Sequence, residues 1–125
     1  MAVPESLDDQ RERVRAIATA LPEAQGSSRT GQHLKFDVRG KTFLYFLVDH
    51  HGDGRVAINV KAPPGAQQAL VARDPERYFV PAYLGPRGWV GIDLGGANDW
   101  DEIEAFIRES YRLAAPKRLA GLVSP

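Results

Sequence analysis

The sequence predicts one α+β domain, residues 1–125, with helices packed on one face of an antiparallel sheet. Apolar residues alternate with polar ones through the middle of the chain, which indicates consecutive strands. Apolar residues recur at helical spacing near both ends, and no repeat or linker divides the chain. A chain of 125 residues is also long enough to bury one core without disulfides or metal.

The two long helices carry clear start signals. Ser6 is a predicted N-cap for the first, with Asp9 three residues later as in a capping box, and Pro22 ends the helical pattern. Asp99 is the predicted N-cap of the second, with Glu102 completing the same kind of box. Both helices are expected to bury an apolar stripe against the sheet.

Three strands are predicted as an antiparallel meander over residues 34–38, 42–48 and 56–60. The middle one is almost entirely apolar, which is typical of a central strand covered on both faces. In the third, Val56, Ile58 and Val60 alternate with polar residues that we expect on the opposite face. These polar residues are Arg55, Asn59 and Lys61.

The remaining segments are shorter. Residues 23–32 are polar and predict a loop or a short edge strand, and residues 67–72 predict a short helix. Pro81 and Pro86 cannot donate ladder hydrogen bonds, so residues 78–87 are expected to be an irregular or edge segment. A last strand follows Gly88, with Trp89 and Asp93 on the face opposite its apolar residues.

Composition excludes several classes of protein. With 43% hydrophobic and 26% charged residues the chain is neither disordered nor fibrous, and no apolar run is long enough to span a membrane. The absence of cysteine excludes disulfides, thiolate zinc sites and a cysteine nucleophile. Residues 1–14 contain no apolar core of a signal peptide, so a cytoplasmic location is expected.

The sequence gives little support for a catalytic site or a metal site. The segment from Asp49 to Asp53 includes His50 and His51, but it is more typical of a solvated hairpin tip than of a metal site. No glycine motif for phosphate binding is present, and no serine lies in a nucleophile elbow. We therefore predict no cofactor, no metal and no enzymatic activity, although His33 or His50 beside a serine or carboxylate in a cleft would indicate an enzyme.

Charge distribution leaves nucleic-acid binding open. Sixteen basic residues balance sixteen acidic ones, so the chain as a whole has no field that attracts nucleic acid. Residues 25–94, however, carry nine basic and six acidic side chains. A basic face of the meander could follow a phosphate backbone, or it could be an ordinary solvated sheet face. The predicted interface residues are Lys35, Arg39, Lys41, Arg55, Lys61 and Arg87.

An aromatic cluster is the alternative site. Tyr78, Tyr83 and Trp89 lie close together in the sequence, beside glycines and prolines. They could form a surface for a protein partner or a small ligand, or Tyr83 and Trp89 could pack under a helix.

Several segments together resemble the MmcQ/YjbR family over residues 7–119. They are Leu21-Pro22-Glu23, the 36–43 hairpin, Tyr78-Phe79-Val80-Pro81-Ala82-Tyr83, Gly88-Trp89-Val90, Asp99-Trp100 and the segment ending Ala115-Pro116-Lys117. The resemblance implies a frataxin-like (CyaY-like) two-layer sandwich and a double-wing DNA-binding module, and it carries over no catalytic residue. Arginines interleave with Asp8, Asp9 and Glu12, which disfavours the iron-binding acidic ridge of frataxins. The resulting hypothesis is weak binding of double-stranded DNA by the basic hairpin face, with no membrane association and no known protein partner.

Overall fold

The structure, a computed structural model, describes residues 5–29 and 31–124, apart from the side chain of His51. The helices in this part are α1 (Leu7–Thr19), α2 (Ala66–Arg73), α3 (Trp100–Ala114) and α4 (Lys117–Ala120). The strands are β1 (Ala24–Ser28), β2 (Leu34–Val38), β3 (Lys41–Val48), β4 (Val56–Val60), β5 (Tyr78–Phe79) and β6 (Val90–Asp93). They form an antiparallel sheet of order β1-β2-β3-β4-β6-β5, which confirms the predicted α+β class. The CyaY-like grouping stays a prediction.

The predicted meander is present as β2, β3 and β4, and of the two alternatives for residues 23–32, a loop or a short edge strand, the structure shows the edge strand β1. A β-bulge interrupts the β2–β3 ladder: Phe36 opposes Leu44, whereas Asp37 opposes Thr42. Phe43 is therefore an extra residue. Consecutive residues of a regular strand point to opposite faces, but here Phe43 and Leu44 are both fully buried.

The core lies between one face of the sheet and helices α1 and α3. Ile103, Ile107 and Tyr111 recur at helical spacing along α3, and each is at most 1% exposed. The Tyr111 ring packs edge-on against Phe43 at a centroid distance of 5.4 Å. Its hydroxyl donates to the Pro22 carbonyl at 2.6 Å, so the polar end of this buried ring is satisfied.

Both predicted helix caps form. The Ser6 Oγ accepts from the Asp9 amide at 3.0 Å, and the Asp99 Oδ1 accepts from the Asp101 and Glu102 amides at 3.1 and 3.3 Å. The second predicted capping box is wrong in one respect. The Glu102 side chain accepts a hydrogen bond from the Tyr78 hydroxyl at 2.7 Å, which ties α3 to β5.

Ser110 joins α3 to the sheet where the β3–β4 ladder ends. Leu44 and Val60 are paired, and Phe43 and Lys61 would be the next pair. Between them stands the Ser110 hydroxyl, which accepts from the Lys61 amide at 2.8 Å and donates to the Phe43 carbonyl at 2.5 Å. Ser110 is completely buried, and its hydroxyl is a structural bridge between the helix and the sheet.

Residues 80–88, here called the covering loop, connect β5 to β6 and include a single 3-10 turn, Gly85–Arg87. The irregular segment predicted from Pro81 and Pro86 is thus confirmed. The loop is held at its far end by Gln67 of α2, whose Nε2 donates to the carbonyls of Gly85 (3.0 Å) and Trp89 (2.6 Å). Gln67 is 6% exposed, so these hydrogen bonds are shielded from water.

Candidate functional site

The sheet face opposite α1 and α3, here called the second face, carries the candidate site. Strand register places Lys35, Tyr45, Asn59, Gly91 and Phe79 in one row across this face. The covering loop lies over part of the row, because its residues and those of the row line the same surface cavities. Two neighbouring cavities at this face differ in chemistry: one is lined by cations and the other by a buried amide.

The cationic pocket is a cavity of about 650 Å³ at one end of the second face. Lys41, Lys61 and Arg87 contribute its charges, and the Lys61 Nζ lies 5.5 Å from the centroid of the Trp89 ring. The other lining residues are neutral: Thr42, Tyr45, Ala62, Leu84, Trp89 and Leu113. Three cations therefore meet around one cavity, and no carboxylate is among the described residues that line it.

The three cations repel one another. Partial burial, followed by the charges of Arg87 and Lys41, holds the pKa of Lys61 below its ordinary value. Among the described residues, none of the three forms an ion pair. Within the described residues, the positive charge of these three side chains is therefore not balanced by an ion pair.

The other three predicted interface residues do not join the pocket. Lys35 lies 3.5 Å from Asp37. Arg55 lies 4.0 Å from Asp93 and stacks over the Phe79 ring, with its Cζ 4.1 Å from the centroid. Each cation is therefore partly neutralised by its own carboxylate.

Arg39 is engaged at a different edge of the molecule. Its guanidinium donates two hydrogen bonds to Glu23, at 2.5 and 3.0 Å. The hydrogen bond from Arg39 holds the pKa of Glu23 below its ordinary value and raises that of Arg39 itself. The structure thus brings together half of the six predicted basic residues.

The aromatic cluster predicted from Tyr78, Tyr83 and Trp89 does not exist. Tyr78 is buried on the helical side and packs against Phe106, with ring centroids 5.9 Å apart. Trp89 is buried on the second face beside Tyr45, also at 5.9 Å. Tyr83 is 81% exposed on the covering loop, so the alternative in which Tyr83 and Trp89 pack under a helix is wrong as well.

The position of Tyr78 predicts a pH effect. Burial, with the hydrogen bond to Glu102, raises the pKa of Tyr78 above its ordinary value. Between the unfolded and folded pKa values the folded state binds more protons, so the free energy of unfolding must fall as pH rises. We expect Tyr78→Phe to make this alkaline loss less steep, in urea unfolding measured between about pH 9 and 11. Part of the alkaline loss in stability should remain in Tyr78→Phe, since burial also raises the pKa of Tyr111. If the free energy of unfolding fell equally steeply with pH in the two proteins, the effect would not come from Tyr78.

A second cavity, here called the Asn59 cavity, has a volume of about 300 Å³ and adjoins the cationic pocket. Its lining comprises Arg29, His33, Tyr45, Leu47, His50, Asn59, Ala82, Tyr83 and Leu84. Asn59 was expected on a polar face, yet only 4% of it is exposed because the covering loop shields it. Its Oδ1 has no hydrogen-bond partner among the described residues.

The two described histidine side chains lie together at this cavity, with ring centroids 5.6 Å apart. His33 Nδ1 accepts a hydrogen bond from the Val48 amide at 3.0 Å, so the neutral ring carries its proton on Nε2. No serine lines the cavity, so the histidine–serine arrangement of an acyl-transfer enzyme does not form there. That the chain is not an enzyme stays a prediction.

The candidate metal loop is built as a turn. Asp49 Oδ1 accepts from the Gly54 amide at 2.7 Å, and Asp53 Oδ1 accepts from the Arg55 amide at 2.8 Å. Within the described part of the chain, no group of three or more His, Asp or Glu side chains is arranged to hold a metal ion. The His51 side chain, part of that hypothesis, lies outside the described atoms.

Comparison with known proteins decides the family. A model of the YjbR family matches residues 19–113, which is most of the chain. The chain belongs to the YjbR family. This confirms the resemblance stated from its sequence motifs.

A crystal structure supports the fold of this YjbR-family chain. Protein DR2400 of Deinococcus radiodurans, described as containing domain DUF419, is similar to it with a TM-score of 0.68 at 20% identity. The similarity covers 87% of this chain and 78% of DR2400, and at this identity it concerns the fold alone. A search of curated proteins finds no match. None of the helices in residues 5–29 and 31–124 is long and apolar enough to cross a membrane.

Two important residues of this YjbR-family chain were not identified as such from sequence. Asn59 was counted as one polar residue of an alternating strand, and Gln67 as part of a short helix. The available signal was an amide in an otherwise apolar run, VAINV, at β4. Such an amide indicates a special role for the residue, but it does not show which segment would cover that residue.

Proposed function

We propose that the chain is a DNA-binding protein that holds phosphate groups at the cationic pocket. The observation that supports this is the meeting of Lys41, Lys61 and Arg87 around one cavity, where none of the described lining residues is a carboxylate. Burial, followed by repulsion from Arg87 and Lys41, lowers the pKa of Lys61, and a bound phosphate relieves that repulsion. Arg87 adds a planar guanidinium, which suits bidentate contact with phosphate oxygens.

The number of charges sets the strength of binding. With Z phosphates neutralised, log K falls with log salt concentration at a slope of about −0.9Z on duplex DNA. Three contacts therefore predict a slope of about −2.7, which is much shallower than the slope of strongly basic repressors. Since the net charge of the chain is zero, long-range attraction adds little, and we expect weak binding with little sequence preference.

The test is fluorescence anisotropy of a labelled duplex, titrated with protein from about 50 to 200 mM salt. The variant Lys41→Gln/Arg87→Gln removes the two exposed cations and leaves Lys61, whose stem packs beside Trp89. We expect this variant to bind roughly tenfold more weakly or worse, with the salt slope reduced to about −1.

A matched control removes the same charge elsewhere. Arg15 pairs with Glu12 on α1, and Arg108 pairs with Glu104 on α3. Arg15→Gln/Arg108→Gln should retain both affinity and salt slope. Absence of binding by the unaltered protein at about 50 mM salt, or an equal loss in the control, would disprove the proposal.

A further inference from the structure

The buried amide of Asn59 points to a ligand. Asn59 lies in the middle of the sheet, paired with Tyr45 on β3 and Gly91 on β6. Its Oδ1 is buried without a hydrogen-bond partner in the described chain, and the residue lines the Asn59 cavity. An apolar side chain would be more stable there, since buried polar groups without partners are costly. A hydrogen-bonding ligand in the cavity would account for the amide.

Tyr83 gives an independent indication at the rim of the same cavity. Its φ is +65°, the left-handed region that bulky side chains rarely adopt, and 81% of the residue is exposed. The ring is thus presented at the rim of the cavity by a backbone conformation that costs free energy. An exposed ring held in this way beside a cavity is suited to stack on a flat ligand.

The neighbouring charge defines the class of ligand. Tyr45 and Leu84 line both the Asn59 cavity and the cationic pocket, so the two sites share a wall. A ligand that fills both must combine a flat group bearing hydrogen-bond donors and acceptors with an attached phosphate. Nucleotides have this chemistry, and asparagine can pair two hydrogen bonds with an adenine edge.

We propose that the Asn59 cavity receives one unpaired nucleobase of a strand whose phosphate lies in the cationic pocket. The inference rests on the proposed function and deepens it. A base within a duplex is stacked and paired, so it cannot enter a cavity of about 300 Å³ without leaving the helix. The protein should therefore prefer single-stranded DNA to duplex. A nucleobase on a strand and a free nucleotide share this chemistry, and the experiment separates them.

The test compares three labelled probes of about 12 nucleotides: an oligo-dA strand, a strand of abasic units and a duplex. Stacking and hydrogen bonding of one base should make the oligo-dA strand bind about tenfold more tightly than the abasic strand. Asn59→Leu removes the hydrogen bonds and Tyr83→Ala removes the stacking ring, so each should reduce the preference for oligo-dA over the abasic strand. Tyr83→Phe keeps the ring and should retain the preference. Asn59→Leu should melt no lower than the unaltered protein, since it buries an apolar group instead of an amide.

The outcomes separate the two proposals. Equal binding of oligo-dA and abasic strands, or full binding by Tyr83→Ala, overturns the base-binding inference while phosphate binding stands. No binding of any probe overturns both. Adenosine monophosphate is the last probe and competes with oligo-dA for the cavity if free nucleotides bind there. Competition at a concentration no higher than that of the nucleotides in the strand would assign the cavity to a free nucleotide and overturn the strand assignment.

Discussion

Replacing Ser110 with alanine is expected to lower the free energy of unfolding by about 2–4 kcal/mol, because a buried group left without a partner costs about 1–3 kcal/mol and a part-buried one costs less. The substitution removes the hydroxyl that links the Lys61 amide to the Phe43 carbonyl. These backbone groups lie beyond the last residue pair of the β3–β4 ladder, so no neighbouring strand supplies a replacement. Ser110 has no exposed surface, which keeps water from replacing the hydroxyl.

Urea unfolding followed by circular dichroism measures this loss, and Ser28→Ala is the matched control. Ser28 is exposed on the edge strand β1, and its removal should change stability by less than about 0.5 kcal/mol. Because the Lys61 amide is fixed by Ser110, Ser110→Ala should also weaken anion binding at the cationic pocket. A loss no larger than that of Ser28→Ala would contradict the bridging role.

Replacing Gly91 with alanine is expected to destabilise the fold by about 1–2 kcal/mol. Gly91 lies on β6 between Asn59 and Phe79, and a Cβ at this position would overlap the Phe79 ring. Alanine in a strand ordinarily gains about 0.5–1 kcal/mol over glycine, but overpacking costs about 1–3 kcal/mol and prevails.

A double-mutant cycle tests the contact directly. Phe79→Ala removes the ring, so adding Gly91→Ala to that variant should cost little or nothing. The coupling energy between the two sites should reach about 1 kcal/mol, within the range for residues in contact. If the stability changes of the two substitutions were additive, the cost of Gly91→Ala would not come from contact with the Phe79 ring.

The fold class, the meander and the helix caps could be predicted because each depends on short-range patterns. Alternation predicts a strand such as β2 whatever its neighbours are. A cap such as Asp99 is completed by amides two and three residues away. The β-bulge at Phe43 was not predicted, since it depends on the pairing of two strands and not on either one alone.

The candidate site was predicted only in part because it depends on contacts distant in sequence. The cationic pocket unites Lys41, Lys61 and Arg87, which belong to separate segments. The burial of Asn59 depends on where the covering loop lies, and no local pattern determines that. Similarly, Glu102 bonds to Tyr78, 24 residues away, in preference to its own cap.

The polar character of β1 bears on how the protein avoids self-association. A sheet edge offers unpaired backbone groups on which another chain can assemble. At one edge here stands the five-residue strand AQGSS, mostly exposed and without a large apolar side chain; at the other stands β5, only two residues long. Neither is a good template for cross-strand growth, which needs longer apolar segments. The open sheet can therefore keep its second face accessible without its edges promoting aggregation.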